Sequence, residues 1–89
     1  MKTIRLTIKG QVQGVFYRAT AKDVADLLGI KGWVKNLPDK NVEIRATASD
    51  ELLQKFIDWC RQGPSSARVD DVIVEDVDLE EFNGFRIIR

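Results

Sequence analysis

The first third of the chain changes from a strand-like to a helix-like spacing of apolar residues. Residues 3–9 alternate between polar and apolar side chains, and Ile4, Leu6 and Ile8 fall on one face. This alternation predicts a strand that is buried on one side. From residue 17 to residue 28 the apolar positions recur at helical spacing instead, which predicts an amphipathic helix.

The middle of the chain predicts a hairpin. Gly29 is a typical residue to end the first helix, and residues 30–35 then have the pattern of a second strand. Residues 36–41 place proline, aspartate and asparagine between two apolar runs, which is typical of a turn. The alternating residues 42–47 complete the hairpin, and Ser49 is a favourable N-cap for a helix that follows.

A second amphipathic helix and two further strands complete the pattern. Gly63, which precedes a proline, ends this helix. Residues 68–79 predict a strand whose apolar positions change face between Val74 and Val77, which a β-bulge there would explain. Residues 85–88 predict a short last strand. The apolar stripe of the second helix consists of Leu52, Leu53, Phe56, Ile57 and Cys60.

The order of these elements predicts the fold class. Two helices that each connect strands, with one hairpin between them, are typical of an α+β fold, the ferredoxin-like βαββαβ two-layer sandwich. We expect a mainly antiparallel sheet with both helices on one face, plus a short C-terminal strand. Another two-layer α+β sandwich is the alternative. With 89 residues and neither repeats nor linkers, residues 1–89 should form a single domain.

The composition limits the partners and the cellular location that we expect. The chain has 14 basic and 14 acidic residues and therefore no net charge, which argues against general binding to nucleic acid or to a membrane surface. No apolar run approaches the ~20 residues of a membrane span, and residues 1–5 lack the apolar core of a signal peptide. The single cysteine cannot form an internal disulfide. We therefore expect a cytoplasmic protein, acting as a monomer, that binds neither nucleic acid nor membrane.

The absence of histidine limits the available chemistry. It excludes imidazole metal sites, Ser-His-Asp triads and phosphohistidine intermediates together. Cys60 is expected in the core because it lies on the apolar stripe of the second helix. A cysteine-phosphatase loop is excluded because Ser66 stands where that loop would need arginine. The acidic residues between 70 and 78 predict a solvated strand face, with a weak magnesium site as the remote alternative. Arginine, lysine, asparagine, carboxylates, backbone amides and water remain, and we expect no metal and no cofactor.

Residues 10–18, GQVQGVFYR, join the first strand to the first helix and have the features of an anion site. Two glycines allow the backbone to turn so that successive N–H groups point inward, and a helix N-terminus adds partial positive charge. Arg18 adds a full charge and a forked set of donors. Val15 and Phe16 follow Gly14 where a nucleotide P-loop would need lysine and a hydroxyl residue. The stretch therefore predicts a compact site for one phosphate group, with a tight turn beside a solvated arginine as the alternative.

Two stretches resemble the signature motifs of a known family. Residues 10–18 are similar to the signature loop of the acylphosphatases, and GWVKN at residues 32–36 is similar to their second signature. The motifs occur in the family's order and spacing, and the resemblance covers essentially the whole chain. It implies a ferredoxin-like fold and hydrolysis of the carboxyl–phosphate bond of a small acyl phosphate, with inorganic phosphate as product and competitive inhibitor.

The resemblance also implies roles for individual residues. Arg18 and the loop amides would hold the phosphoryl group, and Asn36 would orient the attacking water. On its own, an asparagine before a Leu-Pro turn is more often structural. A carboxylate leaves without protonation, so neither a general acid nor a metal is expected, and alkyl phosphate esters should be poor substrates. The loop amides in question are those of Gln13, Gly14, Val15, Phe16, Tyr17 and Arg18.

The chain departs from the family pattern in the hairpin. Lys40 and Ala48 stand where the family usually has glycine, and Phe16 occupies a variable position that is often glycine. If position 40 requires a positive φ, lysine there costs on the order of 1 kcal/mol. Otherwise Asn41 takes the left-handed conformation and the turn shifts.

Two other classes of function remain open. A non-catalytic anion-binding module would have the same fold, and loss of Arg18 or Asn36 would indicate it. An RNA-binding ferredoxin-like module would require exposed aromatic residues on central strands and a basic face. Both polar residues are present, the net charge is zero, and Trp33, Phe56 and Tyr17 are expected in the core. The hydrolase is therefore favoured.

Overall fold

The computed structural model describes all 89 residues and contains two helices and five strands in the order that the periodicity predicts. The strands are β1 (Lys2–Gln11), β2 (Lys31–Asn36), β3 (Val42–Ala48), β4 (Arg68–Val77) and β5 (Phe85–Ile88). The helices are α1 (Tyr17–Leu28) and α2 (Asp50–Gln62).

The five strands form one sheet in the order β4-β1-β3-β2-β5. β1 pairs antiparallel with β3 and β4, β2 pairs antiparallel with β3, and β5 joins β2 in parallel. Buried residues of both helices form one cluster with Ile4, Leu6 and Ile8 of β1, so both helices cover the same face of the sheet. The predicted ferredoxin-like two-layer sandwich with an added short strand is confirmed. Both helices fall short of the length and apolar character needed to cross a membrane.

Both helices begin or end where the sequence predicts. The N–H of Leu52 donates to Oγ of Ser49 at 3.4 Å, which caps α2. Gly29 takes a left-handed conformation after α1, and the next N–H, of Ile30, donates back to the carbonyl oxygen of Ala25 at 2.8 Å. These local signals depend on single residues, which is why they could be located from the sequence.

Tyr17 of α1 and Phe56 of α2 are fully buried in the core, as predicted. The Tyr17 hydroxyl donates to the carbonyl oxygen of Cys60 at 2.8 Å. The Phe56 ring lies edge-on to the ring of Phe85 with centroids 5.9 Å apart. The first residue of α1 is therefore fixed against α2, and with it the end of the loop that precedes α1.

Trp33 does not lie in the core, so that prediction is wrong. Gly32 and Val34 are buried on the helix side, and the alternation of side chains along β2 directs Trp33 to the open face of the sheet. There its ring centroid lies 5.0 Å from Nζ of Lys35, and Arg45 is its partner in β3. The alternation of side chains along β2 decides which face of the sheet Trp33 occupies, and the large apolar ring does not change it.

The irregularity in β4 also lies at a different position from the predicted one. Pairing with β1 is continuous over residues 72–77, and the register shifts instead at Gly10 of β1. Gly10 has φ 128°, and a side chain there would collide with the carbonyl oxygen of Arg68, so the shift requires glycine. β4 is an edge strand of the sheet, and helices cover only one of its faces, so its apolar residues are not restricted to a single face. Leu79 lies beyond the end of the strand and is exposed.

Candidate active site

Three strands end at the same edge of the sheet. β1 and β2 are both antiparallel to β3, and β5 is parallel to β2, so the C-terminal ends of β1, β2 and β5 point the same way. The loop at residues 12–16 follows β1, Asn36 is the last residue of β2, and Arg89 follows β5. Val42 of β3 pairs with Ile8 on one side and with Asn36 on the other. The fold therefore brings both signature motifs to one edge.

The loop at residues 12–16 leaves a run of backbone N–H groups without acceptors. No amide of residues 13–19 donates a hydrogen bond within the protein, and the first helical bond of α1 runs from Thr20 to Phe16. Phe16 is the N-cap residue, and its side chain offers no acceptor to the helix. Gly14 and Phe16 have left-handed φ values of 72° and 65°. Turns of this kind, at the start of a helix, form backbone concavities that bind anions.

Side chains hold this loop from two directions. Nε2 of Gln13 donates to the carbonyl oxygens of Leu37 at 2.9 Å and Asn41 at 2.7 Å, which ties the loop to the hairpin between β2 and β3. Oγ of Ser66 donates to the carbonyl oxygen of Val15 at 2.7 Å. The side chain of Gln13 is therefore committed to the hairpin, and only its backbone N–H is free for an anion.

Arg18 lies in the first turn of α1 and has no acidic partner. None of the ion pairs of the protein includes it, and the arginine side chains that donate hydrogen bonds within the chain are those of Arg5, Arg45 and Arg68. It lines a cleft of about 290 Å³ whose walls carry no acidic side chain. The cleft is therefore positively charged. Its walls include Gly14, Phe16, Tyr17, Arg18, Ile87 and Arg89.

Asn36 carries the only buried side-chain polar atom in the protein that lacks a hydrogen-bond partner, its Oδ1. An unpaired buried acceptor costs about 1–3 kcal/mol, and native proteins keep few of them. Pairing with Val42 fixes the backbone of Asn36 at the sheet edge, although Asn36 does not itself line the cleft beside Arg18. An amide oxygen can accept a hydrogen bond from water or a ligand, but it is a poor base.

Comparison with known proteins places the chain in a family. A sequence profile described as acylphosphatase matches residues 4–87. The chain belongs to the acylphosphatase family. The acylphosphatase of Methylococcus capsulatus is 42% identical over 90 residues, covering 100% of this chain and 98% of its own. The acylphosphatase of Acaryochloris marina is 43% identical over 86 residues, covering 97% and 92%.

A solved structure agrees with this assignment. The crystal structure of acylphosphatase from Bacillus subtilis matches this chain with a TM-score of 0.96 and 34% sequence identity, over 100% of both chains. Acylphosphatases are hydrolases that act on acid anhydrides. The expected family, fold and enzyme class are therefore confirmed.

The acylphosphatase signature loop contains two adjacent aromatic residues in opposite environments. Tyr17 is buried, and burial raises the pKa of its hydroxyl far above the ordinary value. That hydroxyl is a structural donor, so only the backbone of Tyr17 can contact an anion. Phe16 is 77% exposed and lines the cleft beside Arg18.

Lys40 and Ala48, the two departures from the acylphosphatase pattern in the hairpin, differ in backbone conformation. Lys40 itself takes the left-handed conformation, with φ 75°, so the alternative in which Asn41 does so is wrong. The N–H of Asn41 instead donates to Oδ1 of Asp39 at 3.1 Å. Lys40 also lines a groove of about 600 Å³ on the other side of the signature loop. Ala48 is buried in β3 without a positive φ.

Two other candidate groups do not form sites. Burial raises the pKa of the Cys60 thiol to about 12, so the thiol stays protonated in the core. In β4, Glu75 pairs with Arg5 at 3.0 Å and Asp76 with Lys2 at 3.6 Å. No three acidic or thiol groups come together in a cluster that could hold a metal ion.

No sequence motif marks Ile87 and Arg89 as parts of the cleft. They reach it because β5 pairs in parallel with β2, a long-range contact that short-range patterns do not encode. The tie between Ser66 and the loop is likewise visible only after folding. Gln13 lies inside the signature motif, but its attachment to the hairpin depends on the position of a turn more than twenty residues later.

Proposed function

We propose that this chain hydrolyses the carboxyl–phosphate bond of acyl phosphates, giving a carboxylate and inorganic phosphate. Membership of the acylphosphatase family supports the reaction class. The assignment of the site is carried by one observation, the run of unpaired amides at residues 13–19 beside the unpaired guanidinium of Arg18. These are the donors that a phosphoryl group requires.

Arg18 and the amides of residues 13–18 hold the phosphoryl group. During transfer, this group spreads its charge over three equatorial oxygens, so catalysis relies on positioning and on neutralising charge. Arg18 supplies a full charge and parallel donors, and the start of α1 adds partial positive charge. Because Gln13 ties the loop to the hairpin, the donors are already in place when charge develops.

Asn36 positions the attacking water: its Oδ1, which is buried and has no partner within the protein, accepts from that water once the side chain turns toward the loop. The oxygen of that water bonds to phosphorus while the bond from phosphorus to the acyl oxygen breaks. The electron pair of the broken bond leaves with the carboxylate. One proton of the water passes to a phosphate oxygen, so no side chain has to act as the base.

The leaving group accounts for a site without a general acid. A carboxylate is stable without a proton, whereas an alkyl phosphate ester would release an alkoxide. No carboxylic acid lines the cleft, and the raised pKa values of Tyr17 and Cys60 belong to groups bonded within the core. Acyl phosphates should therefore be cleaved, and phosphate esters should be poor substrates.

The partners follow from the same proposal. No step requires a metal or a cofactor, and inorganic phosphate should compete for the donors that hold the substrate. All the groups invoked come from one chain, which supports a functional monomer. Cys60 is a free, buried thiol, which agrees with a reducing cytoplasmic location.

RNA binding gains one feature from the structure but not enough to be preferred. Trp33 lies on the open face of the sheet, where the RNA-binding alternative would require an aromatic residue. However, Lys35 is stacked over its ring, and Arg45 pairs with Glu80. Arg5 donates to both carboxylate oxygens of Glu75, so two of the arginines on this face are already paired with carboxylates.

The test is hydrolysis of benzoyl phosphate beside p-nitrophenyl phosphate in EDTA at several pH values. We expect fast cleavage of benzoyl phosphate alone, with little dependence on pH near neutrality because the proposed mechanism uses neither a general acid nor a general base from the protein. Loss of activity in EDTA would contradict the mechanism, and cleavage of p-nitrophenyl phosphate at a comparable rate would contradict a site that selects acyl phosphates. If neither compound is cleaved while inorganic phosphate still binds, the function is that of an anion-binding module.

A further inference from the structure

The cleft beside Arg18 contains a second arginine that the proposed reaction does not use. Arg89 lines this cleft, and like Arg18 it forms no ion pair within the protein. No acidic side chain lines the walls. Two guanidinium groups thus share about 290 Å³ without an acidic side chain beside them, an arrangement that favours a ligand with more than one anionic group.

The register of β5 brings Arg89 to this cleft. Phe85 is buried, Arg86 is exposed and Ile87 is half-buried, which is the alternation of a strand with one covered face. Arg89 follows on the same side as Ile87, and both line the cleft. Arg86 lies on the opposite face of the sheet, next to its register partner Trp33 in β2. Neighbouring arginines therefore have different surroundings.

The cleft is larger than the phosphoryl group alone requires. A volume of about 290 Å³ lies close to the lower limit, about 300 Å³, of pockets that bind small organic molecules. Arg18 and the loop amides already provide the donors for the phosphoryl group, which leaves space and Arg89 for the acyl part. Phe16, 77% exposed, and Ile87 add apolar surface for a short carbon chain.

We propose that Arg89 binds a carboxylate at the far end of the acyl part, so that acyl phosphates of dicarboxylic acids are the favoured substrates. A guanidinium fork matches a carboxylate in two parallel hydrogen bonds. Such a substrate carries an anionic group at each end, one for Arg18 and one for Arg89. The inference rests on the proposed function, since it requires the phosphoryl group to occupy the Arg18 end of the cleft.

The kinetic test compares succinyl phosphate with benzoyl phosphate, which has no second charge. We measure the ratio of their kcat/KM values in the wild type, Arg89→Gln, Arg89→Lys and Arg86→Gln. Arg89→Gln should lower the ratio by about tenfold, and Arg89→Lys should restore part of it. Arg86→Gln removes the same charge from the open face and should leave the ratio within about twofold of the wild type.

A binding test separates this inference from the proposed function. Calorimetry with succinyl phosphonate and benzoyl phosphonate, which are not hydrolysed, measures the same selectivity without turnover. If the wild type cleaves no acyl phosphate but Arg89→Gln still loses selectivity for succinyl phosphonate, the proposed reaction fails and the carboxylate site stands. Equal losses of affinity for both ligands would mean that Arg89 holds the phosphoryl group, and unchanged affinities for both would mean that it binds neither part. Either result overturns the inference.

Discussion

Gln13 reaches from the loop after β1 to the hairpin after β2, where its Nε2 lies 2.7 Å from the carbonyl oxygen of Asn41. The same nitrogen donates to the carbonyl oxygen of Leu37. The loop with the free amides and the hairpin that follows Asn36 are therefore connected by one side chain. In the proposed mechanism, this connection fixes the position of the water relative to the phosphoryl group.

Replacing Gln13 with alanine should lower turnover more than phosphate binding. The carbonyl oxygens of Leu37 and Asn41 each lose one donor but keep a backbone N–H donor, so the loss of the two hydrogen bonds together should reduce the free energy of unfolding by about 1–3 kcal/mol. The backbone amides remain, so the inhibition constant of inorganic phosphate should change by less than about threefold. We expect kcat to fall by about tenfold or more because Asn36 is no longer held relative to the loop.

Gln54→Ala is the matched control for that variant. Nε2 of Gln54 donates to Asp58 on the exposed side of α2, far from the signature motifs in sequence. Its removal should change the free energy of unfolding by no more than about 0.5 kcal/mol and leave the kinetics unaltered. Equal losses of phosphate affinity and kcat in Gln13→Ala would contradict the separation of roles.

Replacing Arg18 with alanine should abolish both phosphate binding and turnover. The side chain has no ion pair to lose, so the fold should remain intact. Loss of a charged, forked donor should weaken phosphate binding by at least about tenfold. Phosphate titration followed by NMR measures this directly. Arg61→Ala, on the last turn of α2, is the control. Phosphate affinity at the wild-type level in Arg18→Ala would contradict the proposal that Arg18 holds the phosphoryl group.

Asn36→Ala should lose turnover while keeping phosphate binding, and it should not be less stable. Oδ1 of Asn36 is buried and accepts no hydrogen bond from the protein, so alanine removes an unpaired polar group. The free energy of unfolding should stay the same or rise by about 1 kcal/mol. Enzyme kinetics measure the loss of turnover, and urea unfolding measures the stability. Asn83 is exposed, so Asn83→Ala is the control for both measurements. Near-normal activity would mean that another group positions the water.

The fold could be predicted because each element has a complete local signal. Strands of period two and helices of period 3.6 each bury one side, and Ser49 and Gly29 mark helix boundaries. Trp33 and the change of face in β4 could not be predicted, since they depend on which strands are covered and which lie at the edge. A strand pattern gives the alternation of faces but not the identity of the covered face.

The candidate site follows the same division between local and long-range information. The loop amides and Arg18 lie within one short motif, so their proximity follows from chain connectivity. The relation of Asn36 to the loop requires the pairing of β2 with β3 and the tie from Gln13. Arg89 enters the cleft through the parallel pairing of β5 with β2, and no nearby residue signals it.

Lys40→Gly should stabilise the protein, and Lys40→Ala should not. Lys40 has φ 75°, a conformation that costs a residue with a side chain about 1–2 kcal/mol. Glycine removes this cost but gains about 0.4–1 kcal/mol of entropy in the unfolded chain, which leaves a net gain of about 0.5–1 kcal/mol. Both variants remove the same charge, so their difference isolates the backbone. Urea midpoints at a common m-value measure it, and equal stabilities would contradict strain at this position.

Alkaline pH should destabilise the protein through Cys60. Burial raises the pKa of its thiol from the ordinary 9.0 to about 12 in the folded state. Between these values the unfolded chain has lost a proton that the folded chain keeps, so the free energy of unfolding falls as pH rises, by up to roughly 1.4 kcal/mol per pH unit. Cys60→Ala should be less stable at neutral pH because it loses packing, but its stability should fall less steeply between pH 9 and pH 10. Parallel slopes for the two proteins in urea unfolding would show that the folded thiol ionises.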